Sequence, residues 1–197
     1  MKRVLIFDIG GIILDVSNEA ITKFLGITEE ETKALRKLVY RDRRFLACLK
    51  GRMTQEQYRE QLIEENPEKE KEIDKILNPI YQEKVLPFIS DTWNYICELR
   101  KQGYKIYFLS NLTKVSYEYL KEKLKITQLV DGAIYSWQEG LTKPEKEIYE
   151  LLLDRYQIKR EEAIFFDDKL QNIEMGNQLG IKSILYKSKK DIEENIN

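Results

Sequence analysis

The sequence predicts an α/β fold: a Rossmann-like, doubly wound parallel sheet carrying a small inserted α-helical cap. Three observations carry this expectation. Short apolar runs without polar alternation recur along the chain. Helical patterns separate most of them, and one long stretch shows helix signals but no strand signal.

The first apolar run is Val4–Phe7, followed at once by Asp8. From 16 to 86 only helix signals appear. Thr28 with Glu31, and Thr54 with Gln57, have the capping-box form, in which a hydroxyl residue precedes Glu or Gln by three positions. Pro67 opens a further charged helical stretch that Asn78 and Pro79 interrupt. The catalytic core is therefore expected to take residues 1–15 and 87–197, with 16–86 forming the cap domain. Beyond Pro87, a helix over 91–102 places Trp93, Ile96, Cys97 and Leu99 on one face and stops at Gly103. Strands follow at 106–109 and 133–135. The spacing of Ile148, Leu151 and Leu152 predicts a helix over 144–156, with Pro144 in its first turn. A strand at 164–166, a helix over 170–179 ended by Gly180, and a strand at 183–186 complete the series.

Composition narrows the chemistry. The 197 residues are 42% hydrophobic and 34% charged, as in an ordinary globular protein. The net charge of −1 and the lack of a Lys/Arg block argue against a nucleic-acid partner. No apolar run approaches a membrane span, and Met1 leads into a strand rather than a signal-peptide core, so no membrane partner and a cytoplasmic location are expected. Cys48 and Cys97 fit buried, reduced thiols. Histidine is absent altogether. Ser–His–Asp and Cys–His catalysis and histidine zinc sites are thereby excluded. Carboxylates, hydroxyls, lysine and an oxygen-bound metal remain.

In an open α/β sheet the ligand site lies beyond the carboxyl ends of the strands. Here those ends carry Asp8, then Ser110 and Asn111, then Asp167 and Asp168, while a later loop carries Lys143. A carboxylate such as Asp8 can attack phosphorus and form an aspartyl-phosphate. Magnesium held by Asp8, the Gly10 carbonyl and Asp168 would screen the repulsion between the two anions. Ser110 suits phosphoryl oxygens, and Lys143 suits charge neutralisation.

Four segments resemble the haloacid-dehalogenase-like superfamily in order: Phe7 to Leu14, Leu109 to Asn111, Lys143 with Pro144, and Phe165 to Asn172. The resemblance covers essentially the whole chain. It implies that Asp8 is the nucleophile, Ser110 and Asn111 contact phosphate, Lys143 neutralises charge, and Asp168 binds metal. Asp167 precedes that ligand, and Asn172 stands in the place of a supporting acid. The sub-pattern is similar to bacterial glucose-1-phosphate phosphatases and to the N-terminal phosphatase domain of mammalian soluble epoxide hydrolase. A magnesium-dependent phosphatase acting on a small phosphorylated metabolite, as a monomer or weak homodimer, is the activity it implies. The general-acid aspartate usual two residues after the nucleophile is Gly10 here. A cap residue, a water or Asp15 would then supply the proton. That departure keeps two alternatives in view: a metal-independent dehalogenase, and a non-catalytic phospho-ligand binder. Tyr40, Phe45 and Tyr58 are candidates either for the substrate pocket or for packing.

Overall fold

The computed structural model describes residues 4–196, apart from the side chains at 123 and 124. Its sheet has five parallel strands: β1 (Val4–Phe7), β2 (Lys105–Ser110), β3 (Gly132–Tyr135), β4 (Ala163–Asp167) and β5 (Lys182–Leu185). They lie in the order β3-β2-β1-β4-β5. β1 is therefore central, with Phe7 opposite Phe108 on one side and Phe166 on the other.

Side chains of period two explain why this sheet is buried on both faces. Leu5, Phe7, Ile106, Phe108, Ile164 and Phe166 point into one cluster. Ile6, Leu109, Ala163 and Phe165 point into the other. The first face is covered by α7 (Ser90–Lys101) through Trp93, Ile96 and Leu99. The second is covered by α10 (Lys146–Arg155) through Ile148, Tyr149 and Leu152, and by α11 (Leu170–Gln178) through Ile173. Fully burying each such large side chain contributes about 1.5–3 kcal/mol. The crossovers change face at β1, which makes its carboxyl end the topological switch point.

Between β1 and α7 the chain forms six short helices: α1 (Asn18–Leu25), α2 (Glu29–Tyr40), α3 (Arg43–Leu49), α4 (Gln55–Glu65), α5 (Glu70–Leu77) and α6 (Gln82–Val85). Both capping boxes form, at Thr28 with Glu31 and at Thr54 with Gln57. This segment has its own apolar centre of Ile21, Leu35, Val39, Tyr58, Leu62, Ile73 and Leu77. Within it Phe45 meets Tyr40 edge-on and Tyr58 at a tilt, and the Tyr58 hydroxyl donates to Val39 O at 2.6 Å. Their role is packing inside the helical segment.

The remaining α-helices among the described residues are α8 (Lys114–Tyr119), α9 (Ser136–Glu139) and α12 (Lys189–Glu193). Expected and observed boundaries differ at α10, which starts at Lys146 rather than Pro144. Residues 142–145 instead form a turn, closed by Glu145 N–H donating to Thr142 O at 2.8 Å. Cys48 is buried, Cys97 half-buried, and both are free thiols. Among the described residues no helix is long and apolar enough to cross a membrane.

Candidate active site

β1 delivers Asp8 to the switch point, where its amide extends the ladder by donating to Phe166 O at 2.9 Å. The chain then turns tightly: the amides of Ile13 and Leu14 both donate to Ile9 O. Gly11 adopts φ +77°, and a Cβ there would lie 2.7 Å from the Asp168 carboxylate. Only glycine combines that backbone conformation with so close an approach.

The strand ends converge on Asp8. Its Oδ1 accepts from Ser110 Oγ at 2.5 Å and from the Ile9 amide at 2.7 Å. Lys143 Nζ lies 3.0 Å from Asp8 Oδ1 and 2.6 Å from Asp167 Oδ2, and it also donates to Leu109 O at 2.6 Å. Lys143 is held on both sides of its peptide by Asn111, whose Oδ1 accepts from Lys143 N at 2.8 Å and whose Nδ2 donates to Lys143 O at 2.9 Å. Asn111 is thus a clamp on the lysine loop in this arrangement. Asp167 accepts from Lys143, from Asn172 Nδ2 at 2.9 Å on each oxygen, and from the Lys169 amide at 2.8 Å. All of these groups except Asn111 and the Lys169 side chain are buried.

Electrostatics follow from that geometry. Burial opposes ionisation of Asp8, but the charges of Lys143 and Lys169 with the Ser110 and Ile9 hydrogen bonds outweigh it, holding the carboxyl below its ordinary value. A carboxylate kept ionised is a competent nucleophile. Burial likewise disfavours charged Lys143, yet Asp8 and Asp167 reverse the effect and raise it. Burial, with Asp8 nearby, raises Asp167 against the pull of Lys143. Asp168 is pushed up to about 6, by burial first and by the Asp8 charge second.

Carboxylate oxygens of Asp8, Asp167 and Asp168 lie within 4.8 Å of one another. Asp167 is fully engaged by protein donors, whereas Asp168 Oδ1 is buried with no partner. An orphaned buried carboxylate oxygen beside a second carboxylate fits a hard divalent cation with oxygen ligands. Asp8, Ser110, Asn111, Lys143, Asp167, Asp168 and Asn172 therefore lie together, with Asn172 bonded to Asp167 and Asp167 to Lys143. Asp15 stands apart in its bonding: its Oδ1 accepts from Ser17 N at 2.8 Å. Sequence reasoning gave no role to Lys169, although it directly follows the Asp167-Asp168 pair. Its charge acts on both Asp8 and Asp168.

The family model for haloacid dehalogenase-like hydrolases matches residues 2–180. The chain belongs to that family and is a phosphatase-like hydrolase. It is 26% identical over 200 residues to a D-ribitol-5-phosphate phosphatase of Bacteroides thetaiotaomicron, a match covering 93% of this chain and 91% of that one. A sesquiterpene phosphatase of Aspergillus oryzae is 34% identical over 84 residues, and there the match spans only 43% of each chain. Among solved structures, a family enzyme of Bacteroides thetaiotaomicron in complex with magnesium and inorganic phosphate superposes with a TM-score of 0.76 at 19% identity, covering 100% of both chains. The L-2-haloacid dehalogenase of Xanthobacter autotrophicus gives 0.63 at 16% identity, covering 100% of this chain and 82% of that one. At such identities the superpositions speak for the fold.

Proposed function

We propose that this chain is a magnesium-dependent phosphomonoester hydrolase acting on a small phosphorylated metabolite such as a sugar or polyol phosphate. Residues 16–86 would act as the cap and residues 1–15 with 87–197 as the catalytic core. The observation that carries this reading is the buried, ionised Asp8 at the end of the central strand, touched by Ser110 and Lys143.

Asp8 attacks phosphorus, the ester P–O bond breaks, and an aspartyl-phosphate forms; water then hydrolyses it and restores the carboxylate. Ser110, now donating to Asp8, turns its hydroxyl to a phosphoryl oxygen, and Lys143 neutralises charge on the nucleophile and the transferring group. Asn111 keeps the Lys143 loop in place, while Asp167, itself held by Asn172, keeps the ammonium in line. Asp8, Asp168 and the Gly10 carbonyl would hold magnesium, which supplies positive charge against the incoming phosphate. Gly10 offers no acid for the leaving group, so the departing alkoxide takes its proton from water or from a cap residue. Capping the site excludes bulk water from the acyl-phosphate.

Release of inorganic phosphate from sugar phosphates, alditol phosphates and p-nitrophenyl phosphate, with magnesium or with EDTA, tests this. Magnesium-dependent turnover that disappears in Asp8→Asn is expected. Binding of metal and phosphate without turnover on any ester would make the protein a phospho-ligand binder, in keeping with Gly10. Halide release without metal would make it a dehalogenase.

A further inference from the structure

An ion pair crosses from the cap to the loop that carries Lys143. Lys50 closes α3, and its Nζ lies 2.6 Å from Glu145 Oε1, with the two side chains 16% and 36% exposed. The pair is anchored on both sides. On the cap side, Gly51 has φ +65° and packs so tightly that a Cβ would lie 2.1 Å from Trp137 O. On the core side, Glu145 Oε1 accepts from Thr142 Oγ1 at 2.7 Å, and the Glu145 amide donates to Thr142 O at 2.8 Å. Thr142 adjoins Lys143, whose ammonium sits against Asp8 and Asp167. Burial works against an ionised Glu145, but Lys50 and Thr142 outweigh it and keep the carboxyl below its ordinary value. Cap tip, Glu145, Thr142 and the site lysine thus form one contiguous run of contacts.

We propose that Lys50 and Glu145 are positioning residues that make the placement of Lys143 depend on a seated cap. The phosphatase reading above underlies this proposal. A surface ion pair contributes little by itself. This one differs in what it holds: a turn lacking regular structure, whose other restraints are the Asn111 clamp and the contacts of the Lys143 ammonium with Asp8, Asp167 and Leu109 O. With the cap tip on Trp137, Lys50 fixes Glu145, and the turn from Thr142 to Glu145 presents Lys143 to Asp8. With the cap lifted, the restraint at Glu145 is gone. Substrate that seats the cap therefore completes the site, and an empty open cap leaves the ammonium less well placed.

The test measures kcat and KM for wild type, Lys50→Met, Glu145→Gln, the double variant and Lys50→Arg, on the best ester of the panel. Gln at 145 can still accept from Thr142, so it isolates the charge. Each single variant should lower kcat about tenfold, short of the hundredfold that a 1 Å misplacement can cost, with KM moving less than about threefold. The double variant should be no worse than either single, because both break one link. Lys50→Arg, which keeps the charge, should stay within about threefold of wild type. Single variants within about twofold of wild type, or losses that multiply to about a hundredfold in the double, overturn the proposal. Should wild type turn over no ester, the phosphatase reading fails. The pair is then judged by calorimetry of inorganic phosphate with magnesium: about tenfold weaker binding in Lys50→Met supports it, and unchanged binding refutes it.

Discussion

Replacing Gly11 by alanine should damage both stability and metal binding, whereas the same change at Gly10, its neighbour, should do neither. At Gly11 the backbone has φ +77°, and the new Cβ would stand 2.7 Å from Asp168 Cγ and Oδ2 and 2.9 Å from Asp168 Cβ. The left-handed conformation costs a non-glycine residue about 1–2 kcal/mol. Forcing Asp168 aside adds about 1–3 kcal/mol of overpacking. The smaller unfolded-state entropy of alanine returns about 0.4–1 kcal/mol. The net loss is about 1–4.6 kcal/mol, or roughly 2–18 °C in the unfolding midpoint of a chain this long. At Gly10 a Cβ meets only Val16 Cγ1, at 3.4 Å, and φ lies outside the left-handed region. There the entropy gain stands almost alone, and the midpoint should hold or rise slightly. Thermal unfolding of both variants, paired with magnesium calorimetry, checks the contrast. Gly11→Ala should also bind magnesium at least about tenfold more weakly, because the displaced Asp168 carries the buried carboxylate oxygen, Oδ1, that has no protein partner. Equal midpoints, or equal magnesium affinities, would refute the reasoning from the Gly11–Asp168 approach.

Further outcomes follow from the same contacts. Gly10→Asp places a carboxyl two residues after the nucleophile; it should speed hydrolysis of alkyl phosphates, for which general acids contribute about a hundred- to ten-thousand-fold, and scarcely affect p-nitrophenyl phosphate. An equal gain on both substrates would mean the new carboxyl is not acting on the leaving group. Asn172→Leu removes two 2.9 Å hydrogen bonds to buried Asp167 and should cost about 2 kcal/mol in urea unfolding. A loss under about 0.5 kcal/mol would mean that Lys143 and the Lys169 amide suffice for Asp167. Arg44 binds Asp42 and Glu65, each at 2.6 Å, and its hydrogen bonds hold both carboxyls below their ordinary values. A depressed folded-state value gives stability that is present above the unfolded value of about 4 and is lost as pH falls through the folded value. The gap in midpoint between wild type and Arg44→Met should therefore be level from about pH 5 to 7 and close at lower pH. A gap that persists unchanged into acid would mean that Arg44 acts through packing on Tyr58, over whose ring it lies.

Much of the fold was legible because each signal is local. Apolar runs placed all five strands within a residue or two, since a strand buried on both faces has no polar positions to confuse it. Capping boxes at Thr28 and Thr54 were readable because a capping box spans only four residues. The start of α10 was missed because Pro144 suits a helical first turn equally well, and its neighbours are committed elsewhere: Lys143 to Asn111, and Glu145 to Thr142. At the candidate site, residues at strand ends could be named from order alone. The partnerships between them could not. Asn172 lies in the first turn of α11, and its two hydrogen bonds to Asp167 from there leave no mark in the sequence. Lys50 and Glu145 carry no mark among the chain's 33 basic and 34 acidic residues, because their meeting depends on how the end of α3 packs against the turn at 142–145.

The position of β1 at the middle of the sheet also has a consequence for how the molecule is made. Val4 pairs with Lys105 on one side and with Ala163 on the other, so β1 leaves the ribosome roughly a hundred residues ahead of its first partner. The helices of 16–86, whose contacts are local and whose apolar centre is their own, can collapse during that interval. The strand bearing Asp8 is thus synthesised early and paired late. Until β2 and β4 arrive, Val4–Phe7 is an apolar segment with both edges open, and chaperone capture or misassembly competes with folding at that segment.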